Sequence, residues 1–191
     1  MIHLWLSILL AVTLFSDSVM LDAYRHEDMS VWKEYVDSPR PTLAYEYGYC
    51  GYIVAEAKKA GQEALMEEAK QRVLQFKSHV EEAKASLPVG HYEMYLSAVY
   101  VFELRLHVSI HPMRSMSLAK EATRLAPKDP VVLSYYGTCL FYAPKPFGSK
   151  AEALEWFDRA KPLFAGDKYR YCWMREANEM YIRQCHEKLK K

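Results

Sequence analysis

The sequence predicts an all-α protein, and three observations carry that expectation. Caps and breakers divide the chain into stretches of helical period, no stretch alternates like a strand between two turns, and a helical motif recurs every 38 to 39 residues. The 191 residues are 51% hydrophobic and 26% charged, with 7 Gly and 9 Pro, enough apolar surface for one or at most two compact domains. Lys and Arg total 25 against 24 for Asp and Glu, so a net charge of +1 offers no polyanion footprint and excludes nucleic acid as an expected partner.

Leu4 to Phe15 is a run of twelve uncharged, mostly apolar residues, too short for the roughly 20 that cross a bilayer and suited to a secretory h-region. The small-x-small triplet Ser16-Asp17-Ser18 follows, so 1–18 reads as a signal peptide, although Met-Ile-His supplies no basic side chain before it. The chain is then expected to be exported, periplasmic or secreted, with no stable membrane span after processing. The rest, 19–191, reads as one domain.

Its helices follow in order. Met20 to Val36 reads as a capping helix, closed by Asp37-Ser38-Pro39-Arg40-Pro41. Leu43 to Lys59 follows and turns at Gly61. Gln62 to Leu87 places Leu65, Ala69, Val73, Phe76, Val80 and Ala83 on one stripe. Tyr92 to Ile110 is stopped by Pro112, and Ser115 to Ala126 follows. Asp129-Pro130 is an N-cap with Pro at the first helical position, opening a helix to Tyr142. Ser149 and Glu152 form a capping box for the next, which Pro162 and Gly166 end. Asp167 is expected to cap a last helix to about Leu189.

Internal similarity organises these helices. Ala83 to Pro88 and Ala122 to Pro127 share Ala, four residues, Pro; Ala153, Phe157 and Ala160 form a small-large-small stripe; and Tyr47-Gly48-Tyr49-Cys50 is echoed by Tyr136-Gly137-Thr138-Cys139. Paired helices at such a period indicate an α-solenoid. On these residues the chain resembles the tetratricopeptide repeat superfamily, best over Leu133, Tyr136, Gly137, Leu140, Ala153, Phe157 and Ala160. The second repeat keeps Val99, Phe102, Leu106, Ala119, Ala122 and Pro127 but has Glu103 where Gly is usual. The order YGYCGY, LAPKDP, YAPKPFGSKAEAL is similar to small exported tetratricopeptide-like proteins of Bacteroidota. The resemblance implies a right-handed solenoid of about three hairpins, at 43–88, 91–127 and 130–165, between a capping helix at 20–36 and a terminal helix at 168–189.

In such solenoids the first helix of each pair lines the concave surface. Of the 15 Tyr, 13 lie in the first helices and the terminal helix and none in the second helices, where about four would be expected by length. Tyr supplies contact area at low entropic cost and one polar tip, which suits a binding groove. Repeat register nominates Tyr45, Tyr52, Ser97, Tyr100, Leu104, His107, Ser134, Thr138, Phe141 and Tyr142 as groove residues. The competing reading is that these rings fill space between paired helices, as Tyr47 and Tyr136 do.

No HExxH, GxSxG, GxxxxGK or GxGxxG occurs, so the common hydrolase and nucleotide motifs are absent and no cofactor is expected. Glu103, His107 and His111, at i, i+4 and i+8, would share one helix face as a zinc or non-haem iron ligand set, against the plainer reading of two His complementing a helix C-terminus. Cys50, Cys139, Cys172 and Cys185 are too scattered for a disulfide framework and read as free thiols, only Cys139 and Cys172 being close enough in this arrangement to pair. The function expected is a non-catalytic exported module that presents a tyrosine-rich groove to a protein, peptide or glycan. The alternatives are a metal-dependent protein using the Glu103 set, and a ligand-free subunit that self-associates through its repeat ends. Exported protein is expected to begin at Val19, and N-terminal sequencing that recovers Met1 from an envelope fraction overturns this.

Overall fold

The computed structural model describes residues 17–39, 41–108 and 112–190, and within these every element is helical. The apolar run Leu4 to Phe15 lies outside the described residues. Asp17 opens α1 (Asp17–Arg25) and accepts a 2.8 Å hydrogen bond from the Tyr45 hydroxyl, so cleavage after Ser18 would remove that acceptor.

The expected single capping helix is two. The chain turns through Glu27 at φ 57°, and Asp28 restarts it as the N-cap of α2 (Met29–Val36), its carboxylate accepting from the Ser30 amide. Then come α3 (Leu43–Ala60), ended by Gly61 in the left-handed region, and α4 (Glu63–Ala83). Next, α5 (His91–Arg105) stops five residues short of the expected Ile110. His107 takes φ 58°, its amide donates to the Leu104 carbonyl, and that of Val108 to Glu103. This is a Schellman ending, with His in the position Gly usually occupies.

In α6 (Pro112–Leu125), Pro112 is the first residue, where a missing N–H costs nothing. The helix α7 (Pro130–Tyr142) starts where Asp129-Pro130 placed it and runs to Tyr142 as expected. The capping Ser149 of α8 (Lys150–Ala160) accepts from the Glu152 amide at 3.1 Å. Asp167 does not cap the last helix. It begins a short 3₁₀ turn, Asp167–Tyr169, after another at Lys161–Ala165, and α9 spans Trp173–Leu189.

The helices pack in chain order, α3 on α4, α5 on α6 and α7 on α8. α5 also lies against α3 and α7, α9 packs on α8, and α9 reaches across to α1. One core cluster runs from Met20 to Cys185. Ala153, Phe157 and Ala160 are fully buried, as the small-large-small stripe requires, and a Cβ on Gly137 would stand 2.8 Å from the Phe157 ring. The fully buried Asn178 ties α9 to α8 by donating to the Phe157 carbonyl at 3.1 Å. All four cysteines are free thiols.

Phe157 should therefore be a keystone of the α7–α8–α9 layer. Phe157→Ala is expected to cost about 3 to 5 kcal/mol in denaturant unfolding. Gly137→Ala should be strongly destabilising in the natural chain and much less so once Phe157 is Ala, a non-additivity that a double-mutant cycle measures directly.

Candidate functional site

The aromatic residues gather where the first and last helices meet. The Trp173 ring, at the start of α9, lies 5.5 Å from both Tyr24 of α1 and Trp32 of α2, and 5.8 Å from Tyr47 of α3. Its Nε1 donates to the Ala44 carbonyl at 3.2 Å, and the Trp32 Nε1 donates to the Met20 carbonyl at 2.9 Å. Gly48 makes this possible: a Cβ there would overlap the Trp32 ring and stand 3.1 Å from Trp173. Tyr47 continues the cluster inward to Tyr135 at 5.8 Å, Phe102 at 6.0 Å and Tyr95 at 6.3 Å.

At the other side, Tyr181 of α9 stacks on Phe157 at 5.2 Å with the planes 6° apart, and its hydroxyl reaches the Tyr142 hydroxyl at 3.4 Å. Tyr24, Tyr47 and Tyr181 are half-buried and Tyr142 is 65% exposed, so the four rings form an accessible face. Burial raises the Tyr24 phenol to about 12, with Glu176 and Glu27 adding to the shift. Burial also holds the Tyr47 and Tyr181 phenols well above their usual value, and in each case the neighbouring tyrosines of this face push the same way. At neutral pH the face therefore presents neutral phenols, which donate one hydrogen bond and accept others.

Of the register-nominated residues, Tyr142 belongs to this face and Phe141 lies buried beneath it, 5.2 Å from Tyr181. The others go elsewhere. Tyr45 is buried against Trp32 and Tyr35, because α1 and α2 cover the start of α3. Ser97 and Ser134 are buried; Ser97 donates to the Ser115 carbonyl and meets the Tyr135 hydroxyl at 2.8 Å, and Thr138 bonds back to the Ser134 carbonyl. Tyr45, Ser97 and Ser134 are thus enclosed by packing, while Thr138 is half-buried. Tyr100 sits between second helices, with Arg114 at 4.8 Å and Lys77 at 5.8 Å from its ring. Leu104 is half-buried, and Tyr52 is exposed beside Tyr49. Sequence reasoning missed Tyr24, Tyr181 and Trp173, and took Tyr47 for filling only.

Of the alternative metal set, Glu103 and His107 do not share a helix face. α5 has ended before His107, so Glu103 turns to Lys77 at 2.8 Å while His107 lies exposed against Lys58 at 3.2 Å. His111 lies outside the described residues, among which no three His, Cys, Asp or Glu side chains are grouped to hold a metal. No described helix is long and apolar enough to cross a membrane.

No protein family model matches the sequence, and no curated protein matches it. Among solved structures, the fold is similar to that of the HusA haemophore from Porphyromonas gingivalis, with 16% identity, a TM-score of 0.55 and 93% of each chain covered. At that identity the likeness speaks to the fold.

The tyrosine face has an alkaline consequence. In the unfolded chain these phenols ionise near ~10, whereas folding holds them protonated to about 12 at Tyr24 and higher at the other two. The folded state keeps protons that the unfolded state releases, so stability is full below about pH 10 and falls as pH rises beyond it. Absorbance titration should show a delayed phenolate step that coincides with loss of helicity, and Tyr24→Phe should move the loss to higher pH.

Proposed function

We propose that this protein is a non-catalytic, exported binding module. Its fold is a right-handed solenoid of three tetratricopeptide-like hairpins (α3–α4, α5–α6, α7–α8) with α1, α2 and α9 as caps. The reading is supported by the order of packing, in which each hairpin touches the next and α5 lies against both α3 and α7, as the first helices on the inside of a superhelical turn do. Export rests on the apolar run Leu4 to Phe15 and the triplet after it.

The observation that carries the binding reading is the convergence of Tyr24, Tyr47, Tyr142 and Tyr181 around Trp173 and Phe141, on a face that solvent reaches. Aromatic walls with a few polar tips favour a flat, largely apolar ligand with a polar edge. The HusA haemophore shares the fold, so haem is the ligand of that class to try first. A peptide or glycan suits phenol tips as well, and is the competing outcome.

Titration of the purified protein with haem, followed by tryptophan fluorescence and haem absorbance, tests this. Saturable binding is expected, weakened tenfold or more by Tyr142→Ala, since an aromatic anchor contributes ~2 kcal/mol or more. The same substitution should change thermal stability little, because Tyr142 is largely exposed. Binding that survives both Tyr142→Ala and Tyr181→Ala places the ligand elsewhere, and binding of a peptide or glycan set in place of haem changes the ligand class while keeping the face.

A further inference from the structure

The tyrosine face ends, beside Tyr142, at two lysines from different helices. Lys150 is the first residue of α8 and Lys188 lies in the last turn of α9. Both ammonium groups sit over the same ring, at 3.9 Å and 4.9 Å from the centre of Phe141, and Lys150 also donates to the Phe141 carbonyl. Phe141 is in turn 5.1 Å from the Tyr142 ring and 5.2 Å from Tyr181.

Four cations that reach another helix are matched by a carboxylate, Arg25 with Glu176, Lys33 with Glu68, Arg72 with Asp37 and Lys77 with Glu103, whereas Arg114, over Tyr100, and Lys84, over Tyr92, meet no carboxylate within ion-pair distance among the described residues. Lys150 and Lys188 meet no carboxylate within ion-pair distance among the described residues. Two positive charges held together raise the energy of the empty site, and Lys150 also stands at the end of α8 where the helix dipole disfavours a cation. The protein thus keeps a local excess of positive charge at one end of its accessible aromatic face. Burial and the Lys188 charge both make the Lys150 ammonium easier to deprotonate than usual, as a site short of a counter-charge would.

We propose that Lys150 and Lys188, held over Phe141 beside Tyr142, form the subsite that takes the carboxylate end of the ligand carried on the tyrosine face. The proposal rests on the binding reading above and adds the ligand's chemical class: a flat aromatic body ending in one or more carboxylates. The Phe141 ring gives both ammonium groups a cation–π seat that fixes them without neutralising them. The exposed Tyr142 hydroxyl supplies a further donor to the same carboxylate end. An ammonium donating to a carboxylate makes a charge-assisted hydrogen bond, among the stronger polar contacts available at a partly exposed site.

The test compares protoporphyrin IX, which bears two carboxylates, with its dimethyl ester, by quenching of tryptophan fluorescence. The natural chain should bind the free acid roughly tenfold or more tightly than the ester, since the ester cannot make the charge-assisted bonds. Lys188→Gln and Lys150→Gln should each shrink that preference while leaving ester binding unchanged, and Lys188→Arg should retain it. Equal affinity for acid and ester, or an undiminished preference in the double Gln variant, overturns the proposal. Should neither porphyrin bind, the haem reading fails, and benzoate decides the subsite alone. A saturable shift of the Lys150 and Lys188 side-chain NMR signals with benzoate, absent with benzamide, supports it, and no shift overturns it.

Discussion

The seating of Trp173 is the contact on which the rest of the accessible face depends. Its indole comes from the last helix and is enclosed by rings from the first three, with its one polar atom satisfied by the Ala44 carbonyl. In a simple array of helical pairs each pair touches only its neighbours, and stability is close to a sum along the chain. Contact between α9 and α1 adds a tie between elements about 150 residues apart. The Arg25–Glu176 ion pair, 2.5 Å long, spans the same junction, but its side chains are substantially exposed and such pairs contribute little. The apolar enclosure of the indole is therefore the stronger part of the junction, and it holds Tyr24 and Tyr47 in place.

Local chemistry was legible in the sequence wherever a backbone need was met by the residue type that usually meets it. The Asp129-Pro130 start of α7 shows this, as do Ser149 before α8 and Gly61 after α3. The misplaced boundaries share one cause. The two left-handed turns, before α2 and at the end of α5, are made by Glu27 and His107, neither of them the Gly that usually marks such a turn. Tertiary packing decides those positions: Ala23 and Leu106, just before them, are buried.

The tyrosine face was legible by composition and obscure by register. The concentration of Tyr outside the second helices is real, yet only Tyr142 among the nominated tyrosines reaches the face. Register along a repeat relates each helix to its neighbours, and it carries no information about two caps closing on each other. Tyr24 and Tyr181 become partners of Tyr47 only through that closure. The echoed Tyr-Gly-x-Cys tetrapeptide has a similar lesson. Gly within a helix costs about 0.5 to 1 kcal/mol relative to Ala, and in both copies the missing Cβ leaves room for a large ring: Trp32 at Gly48 and Phe157 at Gly137. The repeated motif marks a socket for a ring more than a helix preference.

The same closure orders events when the chain is made. Tyr24, Trp32 and Tyr47 leave the ribosome long before Trp173, and until it arrives their rings have no cover on that side. Contacts between distant parts of a chain form late because the loop between them must first be closed. The face is therefore completed only once Trp173 and Tyr181 have been made, and a nascent chain that stops short of them lacks it altogether. A protein assembled in this order acquires its tyrosine face only when α9 can close on α1 and α2.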